Sequence, residues 1–274
     1  METQNYRIIK INREAASEEE DKIIVEYPLT LFINGVEFIT LLCTPRSLKE
    51  LVVGFLYSEG IISSKDDLED IRINEASGRA DVYTGNKDLY YYQGDRLNAK
   101  RTVTTACGRQ KSIIYNVVDL LGTESDKIHS CVDYTADEIL DLANRFNKKS
   151  ELFITTGGVH SCALCDKKDF IIFEEDIGRH NALDKILGGA LLRDIRLEDK
   201  MIITSGRISS EMIIKVVKSK IPVLVSRSAP TNVAVDMARK YNLRLMGFAR
   251  GNRMNVYSGA PEQSLKPPVT QDGG

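Results

Sequence analysis

A chain of 274 residues, 42% of them hydrophobic, can bury one large core or two unequal ones. A formal net charge of −2 and a pI near 6.0 provide no basic field to recruit nucleic acid. No apolar run approaches the roughly 20 residues that span a bilayer, so no membrane partner is expected.

The start, METQNYRIIKINREAASEEEDK, is polar and charged and lacks the apolar stretch of a secretory signal. The cytoplasm is the expected compartment. There the five cysteines are expected as thiols, and an odd number cannot all pair within one chain. Along the first part, YRIIKI and KIIVEYPLTLFINGVEFITLLCT read as strands. Asn34–Gly35 marks a hairpin turn between apolar runs. SLKELVVGFLYSEGII reads as a helix: Ser47 and Glu50 have capping-box spacing, and Leu48, Leu51, Val52, Phe55 and Leu56 form a stripe. DIRINEASGRADVYTG suggests another hairpin, turning near Ser77–Gly78.

The rhythm changes near Thr135. TADEILDLANRFNK is an amphipathic helix capped by Thr135. Strand and helix then alternate: DFIIFEED, RHNALDKILGGALLRD, KMIITSG, SSEMIIKVVKSK, IPVLVSR, PTNVAVDMARKY and LRLMGFAR as the last long strand. This alternation predicts βαβ units and a parallel sheet covered on both faces. Three parts are therefore expected: a β-rich portion over 1–134, an α/β domain over 135–260, and a loose tail over 261–274.

In such a sheet the turns leaving the strands gather at the carboxyl edge, where ligands bind. Here those turns read DIGRHN, SGRISS, SRSAPT and RGNR, contributing Arg179, Arg207, Arg227, Arg250 and Arg253. Glycine admits close backbone approach, and arginine offers a planar fork for phosphate. The series points to a multiply charged ligand; ordinary surface arginines are the competing explanation. His180, at the start of a helix, is either a network histidine or a ligand contact.

Cys107 falls in AKRTVTTACGRQKS, a loop without periodicity, beside Lys100, Arg101, Arg109 and Lys111. Nearby positive charge favours thiolate. A mobile electropositive thiol suits a sulfur carrier, and a spare surface thiol is the alternative. In TTGGVHSCALCD, His160, Cys162 and Cys165 form H-x-C-x-x-C. Three readings stand: a short helix in which the cysteines pack as small hydrophobes, a redox pair, or part of a zinc site. A deaminase-type zinc motif would carry Glu two residues after the histidine; here that residue is Cys162. Cys43 and Cys131 read as structural.

The blocks TPRSLKELVVGFLYSEGII, TTGGVHSCAL, EDIGRHNALDKILG, SGRISSEMIIKV, IPVLVSRSAPTNVAVDMA and LMGFARGNRMNVYSG, in order from about Thr44 to Gly259, resemble the FdhD/NarQ family. The resemblance implies an accessory sulfurtransferase for formate dehydrogenase. Such a protein moves persulfide sulfur from a cysteine desulfurase to molybdenum in bis-molybdopterin guanine dinucleotide, for which guanine nucleotides are expected mimics. It implies a homodimer and a three-layer, cytidine-deaminase-like α/β fold with a smaller β-rich N-terminal portion. The family's loop motif C-x-x-C puts its first cysteine on Cys107 and its second on Gln110, a departure from the pattern. Its cofactor-binding segment falls on Phe248, Ala249, Arg250, Gly251, Asn252 and Arg253; from the strand-end turns, Arg207 and Arg227 are further candidates for holding phosphate. No zinc is expected. A chaperone that carries the cofactor without moving sulfur is the second reading, and a zinc-dependent hydrolase using His160, Cys162 and Cys165 the third.

Overall fold

The computed structural model describes residues 1–85, 127–129 and 132–259. The expected Cys107 loop, Cys131 and the expected tail lie outside the described residues.

Strands β1 (Thr3–Ile11) and β2 (Ala16–Ile24) form an antiparallel ribbon, with nearly every side chain at the surface. The acidic run SEEED, to which the sequence assigned no element, is the paired half of this ribbon. Strands β3 (Tyr27–Ile33) and β4 (Val36–Cys43) form the expected hairpin, and Asn34 and Gly35 take the positive φ its turn requires. With β5 (Leu68–Asn74) and β6 (Arg79–Thr84) they build a four-stranded sheet in the order β4-β3-β6-β5. Leu29, Leu31, Leu41 and Val82 line its buried face. Helix α1 (Leu48–Ser58) covers that face with Leu51, Val52 and Phe55.

The capping box expected at Ser47 is not formed. Ser47 is left-handed (φ 50°) and makes no side-chain cap. Its Oγ instead donates to the buried Glu174 carboxylate, 2.9 Å from each oxygen. A buried carboxylate offers a charged acceptor, stronger than a helix-end amide is as a donor. At Thr135 the prediction holds: the hydroxyl accepts from Glu138 N, and the Glu138 side chain accepts from Thr135 N.

Helices α2 (Ala136–Lys149) and α3 (Glu151–Thr156) lead into a six-stranded sheet of order β12-β11-β10-β9-β7-β8. Its strands are β7 (His160–Cys165), β8 (Phe170–Asp176), β9 (Met201–Thr204), β10 (Val223–Ser226), β11 (Arg244–Arg250) and β12 (Arg253–Ser258). Strands β9, β10 and β11 are parallel; β7 pairs antiparallel with both β8 and β9, and β12 antiparallel with β11. The expectation of a parallel-rich sheet is thus corrected to a mixed one. The β12 strand, unforeseen, returns from β11 as a hairpin. Helices α4 (Arg179–Leu192), α5 (Ser210–Lys218) and α6 (Asn232–Lys240) pack one face with Leu183, Ile213 and Ala238 against Leu164, Ile202 and Leu224. On the other, Leu142 and Phe146 of α2 meet Ala163, Ile203 and Val225.

The segment read as a short helix, GGVHSCALC, holds the interior strand β7, a correction with a simple cause. Flanked by β8 and β9 and covered on both faces, it needs a continuous run of small or apolar residues, which periodicity alone cannot tell from helix. Cys162 belongs to one face of the sheet and Cys165 to the other, both fully buried.

The N-terminal portion is not independent of the α/β unit. Helices α1 and α4 touch backbone to backbone at Gly54 and Gly188: a Cβ on Gly54 would fall 1.7 Å from Asp184 O, and one on Gly188 2.0 Å from Glu50 O. Buried charges bridge the same seam. Lys185 Nζ lies 2.7 Å from Asp176, both wholly buried, and also donates to the carbonyls of Thr44 and Glu175. Asp176 accepts further bonds from the amides of Thr44 and Gly178 and from the Asn181 side chain. Asp184 is held by Lys215 at 2.6 Å and by Ser58 Oγ at 2.9 Å. Each carboxylate thus has the extra hydrogen bonds that burial of an ion pair demands.

Candidate functional site

Because β7 runs opposite to β8 and β9, its first residue, His160, sits at the edge where β8, β9, β10 and β11 end. The turns leaving those strands converge there on a cleft of about 550 Å³. Ile177 follows β8, Ser205 follows β9, Arg227 and Ser228 follow β10, and Phe248 and Arg250 end β11. Phe153 of α3 and the Gly157–Gly158–Val159 turn complete the wall. Gly158 is needed here: a Cβ would meet Ile24 of β2 at 2.7 Å.

The turns are stitched to one another. Arg227 N donates to Thr204 O at 3.0 Å, and Ser226 Oγ donates to Gly206 O at 2.7 Å while accepting from Ser228 N at 2.9 Å. Ser205 N donates to Ser161 O, and Ser205 Oγ accepts from Ser161 N at 3.0 Å. Phe248 N reaches Ser228 O at 3.2 Å with Phe248 at φ 55°, an unusual conformation for a bulky residue. Such strain is held in place by its surroundings and concentrates at functional sites. The rim is therefore preorganised, with two exposed guanidinium groups, Arg227 and Arg250, presented to the cleft.

The predicted segment 248–253 divides. Phe248 and Arg250 line the cleft. Ala249 is buried on the α2 side of the sheet. Gly251 (φ 57°) and Asn252 turn the β11–β12 hairpin; Asn144 of α2 clamps Gly251, donating to its carbonyl and accepting from its amide at 2.8 Å each. Arg253 is exposed and pairs across the ladder with Arg250. Arg207 is exposed at the same sheet edge but does not line the cleft.

His160 faces the cleft, its Nδ1 3.4 Å from Ser205 Oγ. Burial, and then the nearby Arg179 charge, pull its pKa below the usual imidazole value, so the ring is neutral at pH 7. His180 is enclosed against Glu211, with Nε2 3.1 Å from the carboxylate. Burial lowers its pKa and outweighs the upward pull of Glu211. This fits the network reading of His180.

The buried thiols are chemically quiet. Burial pushes Cys43 up to about 12 and moves Cys162 and Cys165 well above the ordinary thiol range, so none is a thiolate at neutral pH. On opposite faces of β7, Cys162 and Cys165 cannot meet around one ion or in one disulfide. Among the described residues no group of three His, Cys, Asp or Glu side chains converges as metal ligands do.

Ser228 stands in the strand-end turn SRSAPT that the sequence marks beside Arg227, whereas Phe153 and Ser205 were not singled out. The TTGG turn was noticed, but helix α3 before it is too short to show periodicity.

Fold and cleft together define a mixed α/β protein with a preorganised, cationic groove at the strand ends of its larger sheet. The chain belongs to the FdhD/NarQ family, whose model matches residues 24–264. It is 44% identical over 244 residues to the sulfur carrier protein FdhD of Listeria innocua, covering 88% of this chain and 91% of that protein. It is 41% identical over 241 residues to the protein of that name from Staphylococcus aureus, covering 87% and 88%. A crystal structure of a provisionally assigned formate dehydrogenase accessory protein from Desulfotalea psychrophila superposes with a TM-score of 0.74 over 96% of this chain and 99% of that one. At 24% identity this shows a shared fold. Among the described residues no helix is long and apolar enough to cross a membrane.

Proposed function

We propose that this protein is a cytoplasmic sulfurtransferase supporting formate dehydrogenase, working as a homodimer with a three-layer, cytidine-deaminase-like arrangement of its larger sheet. Cys107 takes sulfur from a cysteine desulfurase: its thiolate attacks the outer sulfur of the donor's persulfide, a new S–S bond forms at Cys107, and the donor's thiolate leaves. The four lysines and arginines around Cys107 in sequence favour that thiolate. The outer sulfur is then passed at the zero-valent level to reduced molybdenum in bis-molybdopterin guanine dinucleotide, the acceptor substrate, which would supply the two electrons that make it sulfide, and Cys107 is released as thiolate.

The observation that carries the reading is the meeting of Arg227 and Arg250 at one cleft in a chain whose curated relatives are named sulfur carriers. Two guanidinium forks at one cleft match the diphosphates of such a substrate. Ser205 and Ser228 add hydroxyls at the same edge. The test is maturation of formate dehydrogenase with Cys107→Ser. That variant should bind guanine nucleotides as the wild type does and yield inactive enzyme; fully active enzyme rejects the carrier role. Gln110, standing where the family's second loop cysteine falls, favours one alternative, a chaperone that delivers the cofactor without moving sulfur. Under that reading Cys107→Ser is silent and only loss of the arginines matters.

A further inference from the structure

The geometry points to Phe153 as the residue that selects for a planar heteroaromatic group in this cleft, an inference that rests on the substrate reading above. Phe153 is 44% exposed and borders a cleft that also carries two guanidinium groups. A scattered exposed phenylalanine on a loose loop would need no explanation. This one is fixed. Ser150 Oγ accepts from Phe153 N at 3.2 Å, capping α3, while it donates to the buried Glu175 carboxylate. At the other end, Gly157 in the left-handed conformation (φ 64°) donates its amide to Phe153 O at 2.8 Å. Thr155 and Thr156 hydroxyls tie the same turn to the carbonyls of Glu151 and Leu152.

The result is a partly exposed ring beside the cleft on a backbone pinned at both ends. Phe248 adds a second, half-buried ring from β11. An apolar, rigid face beside phosphate-binding groups suits stacking of a base or pterin, since every such ring system offers a π-face. Arg227 and Arg250 hold charge; Phe153 supplies recognition of the ring.

Titration with two probes separates these roles: GDP, which carries a ring, and inorganic diphosphate, which does not. Phe153→Leu keeps apolar bulk and removes the π-face. It should weaken GDP about 10-fold, the scale of one base–aromatic stack, and leave diphosphate unchanged. Phe153→Trp should retain GDP binding and so shows that the rim tolerates substitution. The inference is overturned if Phe153→Leu leaves GDP affinity unaltered, or weakens GDP and diphosphate equally. A wild-type protein that binds diphosphate but gains nothing from the guanosine also overturns it. Binding of neither probe by the wild type removes the substrate reading itself.

Discussion

Gly54→Ala is expected to destabilise this protein, against the usual effect of that change in a helix. In an unobstructed helix interior, alanine gains up to about 1 kcal/mol over glycine. Here the added methyl would lie 1.7 Å from Asp184 O, a backbone atom that cannot swing aside. Relieving the overlap requires α1 and α4 to part by about 1.8 Å, because non-bonded heavy atoms settle at about 3.5 Å. A gap of only 0.5–1 Å forfeits roughly a quarter to a half of each contact's attraction, and this seam also carries the buried Ser58–Asp184–Lys215 cluster. Overpacking of this kind costs about 1–3 kcal/mol and sometimes more. A net loss of about 3 kcal/mol corresponds to a fall in Tm of roughly 6–12 °C for a chain of this size. Gly189→Ala is the control. Its methyl would approach side-chain atoms, Ile172 Cδ1 at 3.3 Å, Glu50 Cγ at 3.7 Å and Ile172 Cγ2 at 3.8 Å, so stability should stay within about 1 kcal/mol of wild type. Urea and thermal unfolding of both variants measure the contrast. A Gly54→Ala protein at least as stable as Gly189→Ala would refute the claim that the two helices meet backbone to backbone.

Acid should weaken the fold in part through His160. Its folded pKa lies below the unfolded value of about 6.5. Between those two values the unfolded chain binds more protons, so stability falls as pH drops through that window and is fully present above it. His160→Gln should flatten the slope of stability against pH below about 6.5; an unchanged slope contradicts the burial assigned to this ring. The thiols give a second check. Brief iodoacetamide treatment of native protein at pH 8, read by peptide mass mapping, should spare Cys43, Cys162 and Cys165, and denaturant should expose all three. Native alkylation of Cys162 or Cys165 would be inconsistent with their burial on β7.

Much of this architecture could be read from residue order. Thr135 with Glu138 and the Asn34–Gly35 turn announced their places through local chemistry that tertiary structure left intact, whereas of the arginines after the strands only Arg227 and Arg250 line the cleft. Where long-range contacts compete, local signals mislead. Ser47 has the spacing of a cap but is taken by Glu174, a partner 127 positions away. His160 to Cys165 carries no strand alternation because both its faces are buried. Phe153 gives no signal in sequence, since its significance comes from the Ser150–Glu175 bond and from the cleft beside it. Ala249 shows the converse: it belongs to a motif that lines the cleft, yet strand alternation turns it into the core.

Incubation with a cysteine desulfurase and cysteine, followed by mass spectrometry of the non-reduced peptides, tests the proposed chemistry most directly. The peptide holding Cys107 should gain the mass of one sulfur atom, the gain should vanish on reduction, and Cys107→Ser should show none. No added sulfur on any cysteine, or sulfur carried only by another one, would contradict the assignment.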